Sequence, residues 1–395
     1  MSTWIGIGTS KEKDSLRAAR EAALLAKVGT KQDKIDLALI FCSVYHKPTS
    51  VLSGIQQIMP EAKIIGCSSF GVIVSEGIDK YGVAVLAIKS DNIKFSLGCS
   101  NNLNEKNARL AGQELATTAL SGLPSGQRDI FMMFSDGLIN NSSELTRGVQ
   151  DILGKSFPLI GAAASDDFKF AKTYQYCQNN VFTNSATGVL LGGVFNFGFG
   201  VKHGWKPLGK PHVVTDAEGT LIKKIDHKPA IAMYEAYFGA EAQSLYKMKL
   251  SRIAVLYPLG INTPGEDEFI LRNVIEADKD GALSCQGDVP VGAEINLMIG
   301  SKDSCIEAAK EAALEAKKAL KEKPASLIIV FDSISRNKLL GRTAFEEIRS
   351  VKEILGRNSP LIGLYCYGEI APLKALDYRG RSYFHNETIA ILAIA

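Results

Sequence analysis

The sequence predicts an α/β protein built from three β-α-β-α-β repeats with additional antiparallel strands, arranged in mixed, largely parallel sheets and two domains. Two observations carry this prediction. The segment IGTSKEKDSLRAAREAALLAK at residues 7–27 is echoed by IGSKDSCIEAAKEAALEAKKA at residues 299–319, and the segments that follow each copy match in the same order. The 395 residues also exceed one ordinary core, and 46% hydrophobic residues allow substantial cores to be buried.

The first repeat shows the alternation of helices and strands in order. Its first helix follows a cap at Asp14 or Ser15 and places small apolar residues at spacings of three and four. The run KIDLALIFCS is solidly apolar, which is typical of a buried parallel strand. A second helix in VLSGIQQIMP leads to the strand KIIGCSSFGVI, and the apolar strand YGVAVLAIKS closes the unit. This order favours right-handed crossovers and a largely parallel sheet, to which the closing strands add an antiparallel part.

The other two repeats follow the same plan. The middle repeat runs from FSLGCS through the helix EKNARLAGQELATTALSG and the strand DIFMMFSDGL to FPLIGAAASDDF and ATGVLLGGVFNFGFG. The last repeat starts at the echo, where Asp303 or Ser304 can cap the helix, and it ends on ETIAILAIA. Each repeat contains an Ile-Gly pair, and its glycine (Gly66, Gly161 or Gly363) is expected to turn the backbone sharply off a strand end.

Residues 201–293 fit none of the repeats and look like strands joined by the turns DKDG and PVG, together with the helix KPAIAMYEAYFG. The Gly- and Pro-rich stretch 198–211 is the best boundary. We therefore predict an N-terminal domain at residues 1–200 that holds two repeats. The predicted C-terminal domain, residues 201–395, holds the insert 201–293 and the third repeat.

The overall composition excludes several classes of partner. The net charge of +3 is spread along the chain without a Lys/Arg block, which argues against nucleic acid and membrane surfaces as partners. The N-terminus lacks the pattern of an export signal, and no apolar run is long enough for a membrane span, so a cytoplasmic protein is expected. The odd number of cysteines, 7, forms no CxxC pair, which favours buried apolar thiols over a disulfide framework.

Polar side chains that follow the predicted strands are the candidates for a site. In open α/β sheets ligands gather outside the carboxyl ends of strands. The residues at these places are Cys42, Ser43, His46, Cys67, Ser68, Ser69, Ser135, Asp136, Asp166, Asp167, Asp332, Ser333, Arg336, Cys366 and Glu369. Arg336 is the natural partner of Glu369, and its planar donor fork could hold a ligand carboxylate.

Catalytic, metal-binding and nucleotide-binding alternatives have weaker support in the sequence. Cys67 and Cys366 are expected at matching places and are the candidate nucleophiles of an enzyme, but neither has a histidine nearby in sequence. The histidines have no HExxH or H-x-H spacing, so a zinc centre is not expected. The GIGTS segment lacks the G-K-[ST] of a phosphate loop.

The motifs as a set resemble the FIST proteins, which carry N-terminal and C-terminal sensory domains in tandem. GCSSFGVI (66–73) and GAAASDDF (161–168) are similar to turns of the N-terminal domain. YPLGI, VIEADKDGAL, VPVGAEINLM, SISRNKLLG, YGEIAP and FHNET follow the order of the C-terminal domain. The chain departs from the family at Val72, where an acid is frequent, and at Tyr257, where histidine is usual. FDSISR lacks a common cysteine but keeps Arg336.

The resemblance implies a set of ligand-binding residues and a function. The ligand-binding residues would lie in a pocket of the C-terminal domain and in two turns of the N-terminal domain. It implies a non-enzymatic sensor that binds a small molecule and signals to a partner such as a histidine kinase or a cyclic-di-GMP enzyme. A homodimer is a further arrangement to test. The pocket residues implied are Arg336, Gly368, Glu369, His385 and Asn386. Cys67, Ser68 and Asp166, which follow predicted strands within the two turns, complete the predicted ligand-binding set.

Two alternatives stay open at this point. Some members of the family bind haem and sense nitric oxide, so haem is a candidate cofactor, with His385 or His203 as the iron ligand. The other alternative is a cysteine-dependent enzyme.

Overall fold

The structure is a computed structural model that describes residues 2–139, 141–263, 268–373 and 381–395. The first repeat contains β1 (Thr3–Ser10), α1 (Ser15–Thr30), β2 (Leu37–Ser43), α2 (Pro48–Ile58), β3 (Lys63–Ser69), β4 (Val72–Val74), β5 (Gly77–Asp79) and β6 (Val83–Ser90). The second contains β7 (Ile93–Asn101), α3 (Ala108–Leu120), β8 (Ile130–Ser135), α4 (Ser142–Leu153), β9 (Leu159–Ala163), β10 (Gln175–Cys177), β11 (Asn180–Phe182) and β12 (Ser185–Gly193).

The third repeat is interrupted by an insertion after its first strand, β13 (Phe197–Lys202). The insertion contains β14 (Lys206–Glu218), β15 (Leu221–Ile225), β16 (Lys228–Pro229), α5 (Ile231–Phe238), α6 (Arg252–Leu256), β17 (Leu259–Ile261), β18 (Ile270–Arg272), β19 (Val274–Ala277), β20 (Leu283–Cys285) and β21 (Glu294–Ile299). The repeat resumes with α7 (Lys302–Ala319), β22 (Leu327–Ser333), α8 (Ile334–Leu340), α9 (Ala344–Leu355), β23 (Leu361–Cys366), β24 (Gly368–Pro372), β25 (Ser382–His385) and β26 (Ile389–Ile394).

Each repeat forms a sheet that is completed by a hairpin from another repeat. Within the described residues, the first sheet has the order β1-β6-β2-β3-β10-β11, the second β7-β12-β8-β9-β24-β25, and the third β13-β26-β22-β23-β4-β5. The hairpin of the first repeat therefore joins the third sheet, that of the second joins the first sheet, and that of the third joins the second sheet. This cyclic exchange locks the three repeats into one body.

The inner apolar faces of the three sheets meet in a shared core. Phe41, Phe134 and Phe331 occupy the same place in β2, β8 and β22, and all three are buried. The ring of Phe134 lies 5.7 Å from that of Phe41 and 6.2 Å from that of Phe331, measured between centroids. Burial of each such side chain contributes roughly 1.5–3 kcal/mol. The helices cover the outer faces with their alanine-rich stripes, as on α1 and α7.

The insertion has its own sheet and core. Within the described residues its strand order is β18-β17-β21-β14-β15-β20-β19, with β16 paired to β15. Its buried side chains, such as Tyr234, Leu245 and Leu297, pack in a cluster apart from the three-sheet core. The insertion therefore forms a separate layer against which the three-sheet body can enclose a cleft.

The predicted α/β class with three repeats and additional antiparallel strands is confirmed, with two differences in detail. The parallel share is smaller than predicted, because the parallel pairs in the described residues are β2 with β3, β8 with β9 and β22 with β23. The first strand of the third repeat is β13, which pairs with β26 as β1 pairs with β6. The strand before α7, which the echo at residue 299 suggested, belongs instead to the insertion sheet. The interruption thus runs from residue 203 to residue 301, compared with the predicted insert at 201–293.

The repeated glycines serve a different purpose from the one predicted. Gly66 lies inside β3, and with a φ of 151° a side chain there would collide with the carbonyl oxygen of Ile40 on β2. Gly161 and Gly363 lie at the same place in β9 and β23. Glycine is therefore required here because the neighbouring strands approach closely, and not because the backbone turns off a strand end.

Both predicted helix starts are close to the observed ones. Asp14 caps α1 by accepting a hydrogen bond from the backbone N–H of Arg17, as expected. The cap of α7 is Ser301, which exchanges hydrogen bonds with Ser304 in a capping box, so the cap lies slightly before the predicted position.

Candidate functional site

Arg336 is a fully buried side chain on α8, just beyond the end of β22. Ser333 caps α8, and the next turn carries Arg336 inward. Its donors point to the carbonyl oxygens of His203 and Cys305, the latter at 2.9 Å, and to the carboxylate of Glu347. Asp332 lies 3.1 Å from its Nε. A buried charge is tolerated when it is paired and hydrogen-bonded in this way.

These contacts differ from the predicted pairing of Arg336 with Glu369. Glu347 from α9 takes the place of Glu369 as the direct partner, because α9 packs over α8 and reaches the guanidinium first. The donor fork that was expected to hold a ligand carboxylate therefore faces groups of the protein itself. Arg336 anchors α8 to β22, α7 and α9.

Additional buried carboxyl groups lie within electrostatic range of Arg336. Burial raises the pKa of Glu369 to about 8. It also raises the pKa of Asp332 well above its usual range, and the nearby charge of Glu347 raises it further. Burial raises the pKa of Glu387 well above its usual range as well. In all three groups, burial therefore favours the neutral, protonated form of the carboxyl.

The structure brings the remaining predicted residues of the C-terminal domain together on one hairpin, β24–β25, where Glu369 and His385 are cross-strand partners. Glu369 accepts hydrogen bonds from the thiol of Cys366 at 3.3 Å and from the N–H of Thr388 at 3.1 Å. Nε2 of His385 lies 3.0 Å from the carbonyl oxygen of Ala371. Burial lowers the pKa of His385 to about 4, so this imidazole is neutral at pH 7.

Asn386 and Gly368 hold this hairpin against its surroundings. The side-chain amide of Asn386 donates to the carbonyl oxygen of Tyr367 at 3.1 Å and accepts from the N–H of Asn273 at 3.3 Å. A side chain on Gly368 would collide with the ring of Phe384. The hairpin is thus packed from within the protein on both faces.

The predicted residues of the N-terminal domain organise a neighbouring loop, residues 165–172. The hydroxyl of Ser68 donates to the carbonyl oxygen of Ser165 at 3.1 Å and accepts from the N–H of Tyr174 at 3.0 Å. Asp166 accepts hydrogen bonds from the hydroxyl of Tyr367 and from the backbone N–H groups of residues 169–172, at 2.8–3.3 Å. A carboxylate with this many donors fixes the shape of the loop.

This loop presents an aromatic side chain to each of two clefts. The first cleft, which we call the phenylalanine cleft, has a volume of about 740 Å³. Phe168 packs edge-to-face on Phe70 at 5.3 Å, with Lys338 4.9 Å from the Phe168 ring and Lys80 4.9 Å from the Phe70 ring. The lining residues are Phe70, Gly77, Ile78, Lys80, Phe168, Asn337, Lys338, Gly341, Arg342, Ala344 and Phe345.

Lys338 is a solvent-exposed lysine in the wall of the phenylalanine cleft. Desolvation lowers its pKa, and the nearby carboxyl of Glu387 opposes that effect. Its ammonium group makes a long hydrogen bond of 3.4 Å to the carbonyl oxygen of Leu250. Because Lys338 follows Arg336 by two residues, the anchoring of Arg336 also positions the lysine.

The second cleft lies between the three-sheet body and the insertion, and we call it the insertion cleft. Its volume is about 300 Å³, and its wall includes Lys249, Glu276, Gln286, Phe170 and Phe384. The ring of Phe170 stacks on that of Tyr367 with centroids 4.6 Å apart. One loop therefore forms part of both clefts.

The geometry gives no support to the two cysteines as nucleophiles. The strand register matches Gly66 with Gly363, so Cys67 corresponds to Leu364 and Cys366 to Ser69, which corrects the apparent match of the two cysteines. Both thiols are fully buried, and burial raises the pKa of each well above its usual value. A thiol of this kind is a poor nucleophile at neutral pH.

The two histidines proposed for haem do not fit an iron ligand in this arrangement. Nε2 of His385 faces the carbonyl of Ala371. Nδ1 of His203 accepts from the N–H of Trp205, while its Nε2 lies 3.4 Å from Glu268. Neither imidazole lines the phenylalanine cleft or the insertion cleft. Among the residues that the structure describes, no group of three or more His, Cys, Asp or Glu side chains is arranged to hold a metal ion.

Sequence reasoning missed Glu347, Glu387 and Lys338. Glu347 had a detectable signal, because it lies on the same helical face as Ala344, Ile348 and Val351, where an acid signals a buried partner. Glu387 belongs to the FHNET motif, from which only His385 and Asn386 were predicted as site residues.

A membrane-spanning helix is not found in the described part of the chain, since no helix there is both long and apolar enough.

Comparison with known proteins identifies relatives along the whole chain. An uncharacterized protein of Mycobacterium tuberculosis is 26% identical over 399 residues, with 98% of each chain covered. An uncharacterized protein of Mycobacterium bovis is 24% identical, with 98% of this chain and 97% of the relative covered. An uncharacterized protein of Methanocaldococcus jannaschii is 28% identical over 198 residues, which cover 48% of this chain and 37% of the relative.

Among solved structures, the cyanuric acid hydrolase from A. caulinodans covers 99% of both chains at 8% identity, but its TM-score of 0.32 supports no argument about fold or activity. The FIST N domain matches residues 36–228 and the FIST C domain matches residues 230–372. The chain therefore belongs to the FIST family, with both domains in tandem.

Proposed function

We propose that this chain is a non-enzymatic sensor whose phenylalanine cleft binds a small organic anion with an apolar or aromatic part. FIST domains are sensory domains of signal-transduction proteins, which supports a binding function. The observation that carries the ligand class is the combination of aromatic rings with cations in one cleft, where Lys80 and Lys338 each lie 4.9 Å from a phenylalanine ring.

The chemistry of the wall selects the anion. The rings of Phe70, Phe168 and Phe345 offer apolar surface to a flat ligand, and aromatic pairs favour stacked or edge-to-face contact. Lys338 and the exposed Arg342 at the rim offer positive charge. A ligand anion near Lys338 would raise the pKa that desolvation lowers, so carboxylate and ammonium would stabilise one another.

In this proposal the predicted site residues do not contact the ligand but hold in place the elements that line the cleft. Arg336 fixes α8, and α8 carries Asn337 and Lys338 into the cleft wall. Asp166 fixes the loop that carries Phe168. A ligand that contacts Phe168 would shift this loop, and Phe170 would pass the shift to the insertion cleft and its surface. A signalling partner such as a histidine kinase or a cyclic-di-GMP enzyme would read that surface.

Thermal shift and calorimetric titration with matched probe pairs test the ligand class. The probes are benzoate, phenylacetate and indole-3-acetate, each compared with its neutral amide. We expect at least one carboxylate, and not its amide, to raise the melting temperature, because ligand binding to the folded state stabilises it. The Lys338→Met and Phe168→Ala variants should lose the shift, and Lys323→Met, an exposed control, should keep it.

A melting temperature that no carboxylate changes would overturn the proposed ligand class, as would Lys338→Met binding as tightly as the unaltered chain. Haemin serves as a separate probe. A Soret band that disappears in His203→Ala or His385→Ala would replace this proposal with a haem sensor.

A further inference from the structure

Two cysteines outside both clefts meet where the first and second sheets face each other. Cys99 lies on β7, the edge strand of the second sheet, and Cys177 lies on β10 in the hairpin added to the first sheet. Along β7, Ile93 and Phe95 belong to the shared core, and side chains alternate with a period of two. Cys99 therefore points to the same side.

Cys177 points to that side as well. Its neighbour Tyr176 packs into the core under α1 and α2, so the next residue faces the opposite surface of the sheet. The thiol of Cys177 lies 3.9 Å from the carbonyl oxygen of Gly98, the residue that precedes Cys99, and interaction between the two thiols is the largest cause of the pKa shift of each. The two thiols are thus neighbours across the gap between two sheets.

The surrounding structure holds the two strands together and leaves one thiol accessible. Ser185 on β12 donates a hydrogen bond of 2.9 Å to Gln175 on β10, beside the cysteine pair. Cys177 is buried, whereas Cys99 is partly exposed. A partly exposed sulfur next to a buried one is the arrangement of an attacking and a resolving thiol.

The electrostatics of Cys99 set it apart from the other cysteines. The hydrogen bond from Cys177 lowers the pKa of Cys99 to about 7 against the opposing effect of burial. Glu114 raises that pKa and Lys106 lowers it, and these two side chains form an ion pair at 2.6 Å beside the thiol. By contrast, burial raises the pKa of Cys285 and of Cys305 to about 12.

We propose that Cys99 and Cys177 form a redox modification site that a hydroperoxide oxidises to an inter-sheet disulfide. In the first step the Cys99 thiolate attacks one oxygen of hydrogen peroxide, the O–O bond breaks, and Cys99 sulfenic acid and hydroxide form. In the second step the sulfur of Cys177 attacks the sulfenic sulfur, the S–O bond breaks, and a disulfide and water form. A dithiol reductant reverses the change. This site is independent of the ligand proposed for the phenylalanine cleft.

Peptide mass spectrometry of the full chain tests the proposal. With limiting iodoacetamide at pH 7, Cys99 should be alkylated more than about tenfold faster than Cys285 or Cys305, which are internal controls. Stoichiometric hydrogen peroxide should yield a peptide pair joined through Cys99 and Cys177, lighter by two hydrogen atoms and separated by dithiothreitol. In Cys177→Ser, Cys99 should instead accumulate as a sulfenic acid that dimedone traps.

Several results would overturn the proposal. Alkylation of Cys99 at the rate of Cys285 would show that it is not activated. Oxidation of Cys99 to sulfinic or sulfonic acid without a cross-link would show that Cys177 does not resolve it, and a dimer joined through two copies of Cys99 would show that the partner thiol is on another chain. None of these results bears on anion binding, so failure here is distinct from failure of the proposed sensor function.

Discussion

Removal of Glu347 tests whether the buried charge cluster supports the candidate site. The perturbation is Glu347→Leu, which has a similar volume but leaves Arg336 without its direct carboxylate partner. Asp332, 3.1 Å from Nε of Arg336, is the group that can respond. Its pKa is raised by burial and then by the charge of Glu347, so loss of Glu347 lowers that pKa and favours ionisation of Asp332 in its place.

The expected magnitude follows from the burial of both partners. Loss of one partner from a buried ion pair costs about 3–5 kcal/mol, and compensation by Asp332 places Glu347→Leu near the lower end. An unfolding entropy of roughly 2.1 cal/mol/K per residue gives about 0.8 kcal/mol/K for 395 residues. If the chain unfolds as one unit, the melting temperature should therefore fall by about 4 °C.

Differential scanning calorimetry at pH 7 provides the measurement, and two further variants make it specific. Arg336→Met together with Glu347→Leu removes both charges, so this double variant should be more stable than Glu347→Leu alone. Glu307→Leu removes an exposed partner of Lys310 on α7 and should change the free energy of unfolding by less than about 0.5 kcal/mol.

Two outcomes would refute the reasoning. One is a fall in melting temperature for Glu347→Leu no larger than that for Glu307→Leu, which would mean that Arg336 does not depend on its buried partner. The other is a double variant that is no more stable than Glu347→Leu alone, which would mean that an unpaired guanidinium of Arg336 carries no cost.

Three further predictions concern the same region and its scaffold. Between about pH 4.5 and pH 8, Glu369 keeps a proton in the folded chain that it has lost in the unfolded chain. Its contribution to the free energy of unfolding is therefore largest below pH 4.5. That contribution falls by on the order of a few kcal/mol as the pH rises to about 8. The difference in melting temperature between Glu369→Gln and the unaltered chain should therefore shift in favour of the variant when the pH is raised from 5.5 to 8.5. The same difference at both pH values would contradict this. Asp166→Asn should loosen the loop it caps and speed tryptic cleavage after Lys169, and an unchanged cleavage rate would disprove this role. Gly66→Ala should lower stability by more than about 3 kcal/mol in denaturant titration, because its side chain would collide with the neighbouring strand. Gly77→Ala, which has open space around it, is the matched control, and equal losses in the two variants would contradict the role of close approach.

The sequence was most informative where local chemistry decides structure. The cap at Asp14 and the apolar periods of the helices predicted α1, and the apolar runs predicted β2, β8 and β22. These features depend on residues close together in the chain. The sequence also identified the Gly-Glu and Phe-His-Asn-Glu-Thr segments, which the structure brings together as β24 and the end of β25.

Pairings between distant segments were less accessible to sequence reasoning. The predicted partner of Arg336 was Glu369 in the YGEIAP segment, whereas the observed partner is Glu347 on α9, which is closer to Arg336 in the chain. The first strand of the third repeat was misplaced because an insertion of about a hundred residues separates β13 from α7, and the strand before α7 imitates the repeat. The predicted match of Cys67 with Cys366 was wrong by two residues. In short apolar strands the sequence does not fix the alignment of one repeat with another, and only the pairing with a neighbouring strand sets the register.

What the sequence by itself determined is the α/β class, the threefold repeat and the FIST resemblance, because hydrophobic period, capping and motif order are properties of local segments. Only the tertiary structure decided the exchange of hairpins among the three sheets, the enclosure of Arg336 by Glu347, the two clefts on either side of one loop and the meeting of Cys99 with Cys177. Each of these depends on which surfaces touch after the chain folds. Such contacts are set by packing and burial over the whole molecule, and a segment read alone does not contain them.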